Sequence, residues 1–356
     1  MRKLATIRRI DSLTPIPGAQ NIETARIDGW DVVVKINEFA VGDYCIYHEI
    51  DSLLPDLPMY DFLVQKIGKI YPIEYIGSST ASDVMTLKPR SEKMARLQTI
   101  RLRGQFSQGL ALPTSVLNIP WSYGDDLTSY LGVKKYELPV PTQLAGLIRG
   151  SYPSWLPKTD QERVQNIWDK LVGDGLEYRV EEKLDGSSIS IYMEKGRIGV
   201  TSRNVDFKME GNDDNVFVST AKKSGLIEFL EKLDNKDQNN IAIRGEIVGP
   251  GIQGNIYRLK EHRIYIFDVW KNNRYLFPEE RDVFFAANFE KFHFVPVLVS
   301  RMKLPDRIDE VIKMADGSSD LLCRPREGLV FKSLRNSGHT YQSFKSISRE
   351  FLLKGG

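Results

Sequence analysis

Through the first 120 residues apolar and polar positions alternate in runs too short for helices. WDVVVKI (Trp30–Ile36), DYCIYHEI (Asp43–Ile50), LQTIRLRG (Leu97–Gly104) and GLALP (Gly109–Pro113) read as strands. IDGW (Ile27–Trp30) and AVGD (Ala40–Asp43) supply turn chemistry between strands. Strands of this length and spacing predict a small antiparallel barrel of the OB-like type over residues 1–120. The pattern then breaks. Residues 121–158, ending in ELPVPTQLAGLIRGSYPSWLPK, are rich in Pro, Gly, Ser and Tyr and read as a linker.

Beyond the linker the period changes. Thr159 and Glu162 have capping-box spacing, and Val164, Ile167, Trp168, Leu171 and Val172 recur as one helical face. LEYRVEEK, SSISIYM, RIGVTSRN, NIAIRGEIV, RIYIFDVW, HFVPVLVS and EGLVFKSL then read as strands. Helices are expected over Ser219–Leu233, Phe277–Phe289 and Asp306–Ala315. Most strands follow one another directly rather than alternating with helices. That order predicts an α+β domain over residues 159–356, with antiparallel sheets and packed helices.

Composition narrows the class only a little. A chain of 356 residues with 41% hydrophobic and 27% charged residues is an ordinary two-domain globular protein. No apolar run is long enough to span a membrane, and MRKLATIRRI makes a poor signal peptide. Cys45 and Cys323 stand far apart, which fits a reducing, cytoplasmic setting rather than a disulfide framework. The net charge of +2 announces no polyanion partner, although Cys323–Gly356 carries seven Lys or Arg against two Glu.

The chemistry begins in RVEEKLDGSSISIYM, where Lys183 sits between two alternating runs. An amine is nucleophilic only when neutral, so a lysine in this role needs burial or nearby cations. Further candidate groups follow in order. They are Arg203 in SRN, Glu246 in IRGEIVG, Phe267 in IYIFDV, Glu327 and Lys332 in EGLVFK, and Lys345 in SFKSIS.

This order resembles the covalent nucleotidyltransferases, which include DNA ligases, RNA ligases and capping enzymes. KLDGSS, with Ser188 where DNA ligases and capping enzymes usually have Arg, resembles the RNA ligases, as does RGEIVGPGIQGN (Arg244–Asn255). Only eleven residues follow Lys345, so no OB domain is expected after it, unlike DNA ligases and capping enzymes. Ser12–Pro55, RGQFSQGLALP, PKTDQERVQN and SFKSISREFLLK are similar to the Deinococcus/Naegleria type of ATP-dependent RNA ligase, so the resemblance covers nearly the whole chain.

The resemblance implies that Lys183 takes AMP from ATP, passes it to an RNA 5′-phosphate, and a 3′-OH then displaces AMP. It implies that Glu182 helps hold adenine, Phe267 stacks on it, and Arg203 contacts ribose or phosphate. Glu246 and Glu327 would bind Mg²⁺ or Mn²⁺. Lys345 would contact the α-phosphate, assisted by Lys332. Where related ligases carry a second late lysine, this chain has Ile347. The implied substrate is a nick with 3′-OH and 5′-phosphate ends in duplex RNA or an RNA/DNA hybrid, with no membrane partner. The competing readings are a GTP-dependent capping-type guanylyltransferase and a non-catalytic nucleic-acid-binding protein on a ligase scaffold. GPGIQG (Gly249–Gly254) matches a dinucleotide-binding pattern, but Pro250 and the following NIYRLK predict no helix to cradle a pyrophosphate.

Overall fold

The computed structural model describes residues 2–64, 87–136, 146–233, 240–322, 324–335 and 339–353. Cys323 lies outside them. Tertiary contacts divide the chain into two units, Met1–Pro139 with Leu352–Gly356, and Val140–Phe351.

The first unit is built from short strands. In chain order they are β1 (Ala5–Arg9), β2 (Ser12–Pro15), β3 (Ile22–Ile27), β4 (Trp30–Lys35), β5 (Tyr44–His48) and β6 (Ser52–Pro55). A helical turn, α1 (Asp61–Val64), precedes β7 (Met94–Arg96), β8 (Ile100–Leu102), β9 (Gln105–Ser107), β10 (Leu110–Pro113) and β11 (Lys134–Lys135). They form antiparallel sheets β1-β5-β10, β2-β3-β4 and β11-β6-β7, and a separate hairpin β8-β9. The central strand β5 is buried on both faces. Cys45 and Tyr47 pack with Trp30 and Val32, while Ile46 packs with Ile7, Leu54 and Leu131. Two-sided burial explains why YCIYH reads as a nearly continuous apolar run.

Both ends of the expected linker are drawn into folded structure. Leu127, Leu131 and Val133 fill the second of these cores, and Lys134–Lys135 pair with Leu53 and Ser52. Further on, β12 (Ile148–Ser151) joins a sheet of the second unit. Residues 137–145 lie outside the described residues.

The second unit continues with β13 (Glu162–Arg163), α2 (Val164–Leu171), β14 (Glu177–Lys183), β15 (Ser187–Glu194), β16 (Arg197–Thr201) and β17 (Val205–Phe207). Next come α3 (Val216–Lys223), α4 (Leu226–Glu231), β18 (Ile241–Val248), β19 (Arg263–Lys271), β20 (Arg274–Tyr275) and α5 (Pro278–Phe285). Then come β21 (His293–Phe294), β22 (Val297–Lys303), α6 (Ile308–Met314), β23 (Gly328–Ser333) and β24 (Ser343–Ile347), and a last helix, α7 (Arg349–Leu353), ends the described residues. One sheet runs β12-β17-β16-β15-β18-β19-β20, with β21 beside β19; the other runs β13-β24-β23-β14-β22. All pairs are antiparallel except β13–β24 and β19–β21. Val218, Leu226 and Phe285 cover the Ile189, Ile191 and Ile243 face of the first sheet. Val164, Leu171, Val311 and Ile312 cover Tyr178, Phe331 and Phe344 of the second.

Three helical expectations change. Thr159 and Glu162 form no capping box: Glu162–Arg163 pair with Phe344–Lys345 as a strand, which holds that backbone extended and delays the helix to Val164. Val172 ends outside the helix, 46% exposed. The helix expected over Ser219–Leu233 is two. Asn215 starts the first by accepting the Phe217 and Val218 N–H groups, and Gly225, at φ +75°, separates it from the second. The helix expected from Phe277 spans Pro278–Phe285 and continues as a 3₁₀ turn, Ala286–Lys291. HFVPVLVS also divides, with β21 and β22 on different sheets.

Candidate active site

Lys183 is the last residue of β14, on one sheet, and Ser187 opens β15, on the other. The intervening Leu184–Asp185–Gly186 therefore carries the chain across the crease between two sheets. That crossing is tight. A Cβ at Gly186 would meet the Ile247 carbonyl oxygen at 2.5 Å and Glu246 Cγ at 2.8 Å, so the motif needs glycine there for close approach. Asp185 donates its backbone N–H to the buried Tyr257 hydroxyl at 2.7 Å, fixing the turn from the far side.

The crossing brings the charged motif residues together. Lys183 Nζ donates to Glu327 Oε1 at 2.6 Å, and Lys183 is opposite Gly328 in the β14–β23 ladder. Glu327 Oε2 is buried without a hydrogen-bond partner. Glu246 enters from β18, where it is opposite Ser188. Burial alone would lower the Lys183 pKa, but Glu327, Glu246 and Asp185 outweigh it and the net shift is upward. Burial pushes Glu246 up to about 8, against the pull of Lys183 and with the push of Glu327 and Asp185. Burial, with the Glu327 charge, pushes Asp185 up to about 7. Burial therefore disfavours the charged forms of Glu246 and Asp185, while the neighbouring carboxylates favour the charged form of Lys183 at rest.

Beside this cluster is a wall suited to a flat ring. Phe267 packs against the buried group that contains Leu184, Val248 and Tyr257. It stands at a bulge: Arg244 and Gly245 are opposite Asp268 and Ile266, which leaves Phe267 outside the ladder. Its carbonyl accepts from Arg281 Nη1 at 2.6 Å and from Lys332 Nζ. Glu182, 1% exposed, accepts the Asp320 N–H on Oε2 at 2.8 Å, while Oε1 has no hydrogen-bond partner. Burial raises its pKa.

Lys332 differs from the sequence expectation. It is 1% exposed, and Glu181 (2.7 Å), Asp268 (2.9 Å) and the Phe267 carbonyl surround its ammonium. Arg281 joins the network through Glu181 at 2.8 Å. The charge is spent on joining β14, β19 and β23 behind the ring wall. The strand pattern gives no sign of this, because alternation does not say which face of β23 is dry.

Arg203 and Lys345 meet through an acidic residue of the segment before β13. Asp160 lies 3.1 Å from Arg203 and 3.5 Å from Lys345. Neighbouring Thr159 is hydrogen-bonded to Ser188 at 3.0 Å, so the segment before β13 crosses the site. Ile347 is buried opposite Gly328. Tyr257 carries no local signal, because it acts across many residues of chain; Asp160 lies in PKTDQERVQN and Asp185 in KLDG, but neither segment by itself shows which side chains its carboxylate meets. Among the described residues, no three His, Cys, Asp or Glu side chains are gathered in metal-binding geometry.

The model of the RNA ligase family matches residues 176–347, which contain the whole cluster. A family model described as an OB-fold domain matches residues 4–77. Solved structures of Naegleria gruberi RNA ligase superpose along the full length. A mutant in its apo form is 36% identical, with a TM-score of 0.84 and coverage of 99% of this chain and 98% of that one. A mutant with ATP and Mn gives 36% identity and 0.83, and the enzyme with PPi 37% and 0.82, each covering 99% of both chains. No curated protein matches the chain. With an OB-fold unit preceding a crease in which Lys183 faces Glu327 and Glu246, and with relatives similar over their whole length, this chain belongs to the RNA ligase family.

Proposed function

We propose that this RNA ligase uses ATP to seal 3′-OH/5′-phosphate nicks in duplex RNA or RNA/DNA hybrids, by way of lysyl-AMP and a 5′-adenylylated strand. The Lys183–Glu327 pair in the crease between two sheets is the observation that carries this reading. Lys183 Nζ forms a bond to the α-phosphorus as the bond to the β-phosphate oxygen breaks and pyrophosphate leaves. The 5′-phosphate oxygen then displaces Lys183, and the 3′-hydroxyl oxygen displaces AMP. All three steps are displacements at phosphorus, where alignment and charge neutralisation supply most of the rate.

Lys183 starts as an ammonium held by carboxylates, so it becomes a nucleophile only when they are engaged elsewhere and its proton is lost. Glu246 and Glu327 form an all-oxygen donor set, and the unpartnered Glu327 Oε2 fits a hard divalent cation such as Mg²⁺ or Mn²⁺. Such an ion, when bound, neutralises phosphate charge and takes up these carboxylates. Arg203 and Lys345 exchange Asp160 for the nucleotide's ribose and phosphates. Phe267 stacks on the base. The open Glu182 Oε1 fits the exocyclic amine of adenine better than the carbonyl that guanine has at that position, which favours ATP over the GTP of a capping-type enzyme. Lys332 holds the bulge that presents Phe267 and does not touch the nucleotide.

No helix among the described residues is long and apolar enough to cross a membrane. Cys45 is a buried free thiol, which accords with a reducing, cytoplasmic setting.

Sealing assays on nicked duplexes test the substrate. Nicks with RNA at the 3′-OH are sealed, and Glu327→Ala abolishes sealing. Joining of unpaired ends alone, with nicks left open, would contradict the reading.

A further inference from the structure

One element of the first unit has no part in the scheme above. Hairpin β8–β9 pairs with no other strand of the described residues. Every residue of β8 is exposed, Ile100 by 48% and Leu102 by 38%. Its turn is Arg103–Gly104, at φ +50° and +84°. A two-residue turn of this hand suits Asn-Gly, and an arginine in the left-handed region carries a steric cost. Arg103 recovers none of that cost within the described structure, since it makes no ion pair or hydrogen bond there. Arg101 lies with its guanidinium 4.6 Å above the ring of its cross-strand neighbour Phe106. From Arg96 to Gln108 the chain has three arginines and no Asp or Glu, and among the described residues only Arg96 of the three has an ion-pair partner, Asp51 at 2.7 Å.

The root is held as firmly as the tip is open. Leu97 donates to the Ser52 carbonyl, and Asp51 donates to the Leu97 carbonyl. Ser107 Oγ accepts the Val33 N–H at 3.0 Å, and the Gln108 carbonyl accepts the Tyr47 hydroxyl at 2.9 Å. Both legs are anchored in the barrel while the arm reaches solvent. An exposed edge strand bearing apolar residues is a liability, and charges commonly guard such edges. Guarding explains Arg101. It does not explain a strained, unpaired arginine at the tip, beyond the last ladder pair.

We propose that hairpin β8–β9 is a docking ribbon for the duplex substrate, resting on the nicked-duplex reading given above. Arg101 and Arg103 contact backbone phosphates across the minor groove of an A-form duplex. That groove is wide and shallow enough to admit a two-stranded arm. The occupant is a duplex containing RNA, chosen by charge complementarity and by groove shape.

The test compares the full-length protein with Arg101→Ala/Arg103→Ala and Arg101→Lys/Arg103→Lys. Binding of a nicked RNA duplex is titrated over a range of salt, beside single-stranded RNA of the same sequence. Melting curves and ATP-dependent mass gain without RNA control for folding and for the chemistry. The alanine pair should adenylylate like the wild type, bind the nicked duplex at least about tenfold more weakly, and lose about 2 from the slope of log K against log salt. The lysine pair should restore most of that slope. If wild type binds the nicked duplex and the alanine pair matches it in affinity and slope, the ribbon is overturned and the substrate reading stands. If both nucleic acids weaken equally, the ribbon is not a duplex reader. If wild type does not bind the nicked duplex at all, the substrate reading falls and takes the ribbon with it.

Discussion

Tyr257 is the residue whose role is hardest to foresee from the chain and simplest to state from the fold. Its hydroxyl receives the Asp185 N–H in the turn that follows Lys183. It touches no reacting atom and is a positioning residue. Removing one such bond costs about 1 kcal/mol, which is roughly fivefold in rate if the turn must be rebuilt in the transition state. Tyr257→Phe should therefore slow adenylylation about three- to tenfold with the KM for ATP nearly unchanged, measured by single-turnover kinetics. A change in KM alone would mean that the hydroxyl serves binding rather than alignment. Lys183, Glu182, Glu246 and Glu327 were legible in the sequence because each sits in a contiguous motif in or beside a strand. The contacts of Asp160 and Tyr257 were not, because their partners arrive only when distant segments fold together.

At the scale of elements, strands were legible and helix limits were not. Apolar alternation survives in any sheet, but the start of α2 depends on whether Glu162–Arg163 pair with β24, a parallel contact with no local signature. The bulge at Phe267 is of the same kind. The residue could be picked out, yet its carbonyl leaves the ladder and calls for the Lys332 and Arg281 donors behind it. Replacing one member of a buried charge network strands the rest, at about 3–5 kcal/mol. Lys332→Met should lower stability by that order in denaturant unfolding, and Lys332→Met/Glu181→Gln should regain part of it by removing a stranded carboxylate. Equal stability of Lys332→Met and wild type would mean that the network is not what holds the bulge.

For the whole molecule, the order of a strand-rich unit followed by a two-sheet unit was readable, and so was the family. Net charge was uninformative. The value of +2 averages acidic and basic stretches that do different work, such as the acid-free arm around Arg101 and Arg103. The central claim is that the crease between the two sheets makes a covalent nucleotide on Lys183. Intact-protein mass after incubation with Mg²⁺ or Mn²⁺ and either ATP or GTP tests it directly, with Lys183→Met alongside. A gain of one AMP from ATP alone, absent from Lys183→Met, is the expected result. A GMP adduct, an AMP adduct that survives in Lys183→Met, or no adduct on protein already freed of bound AMP would contradict it.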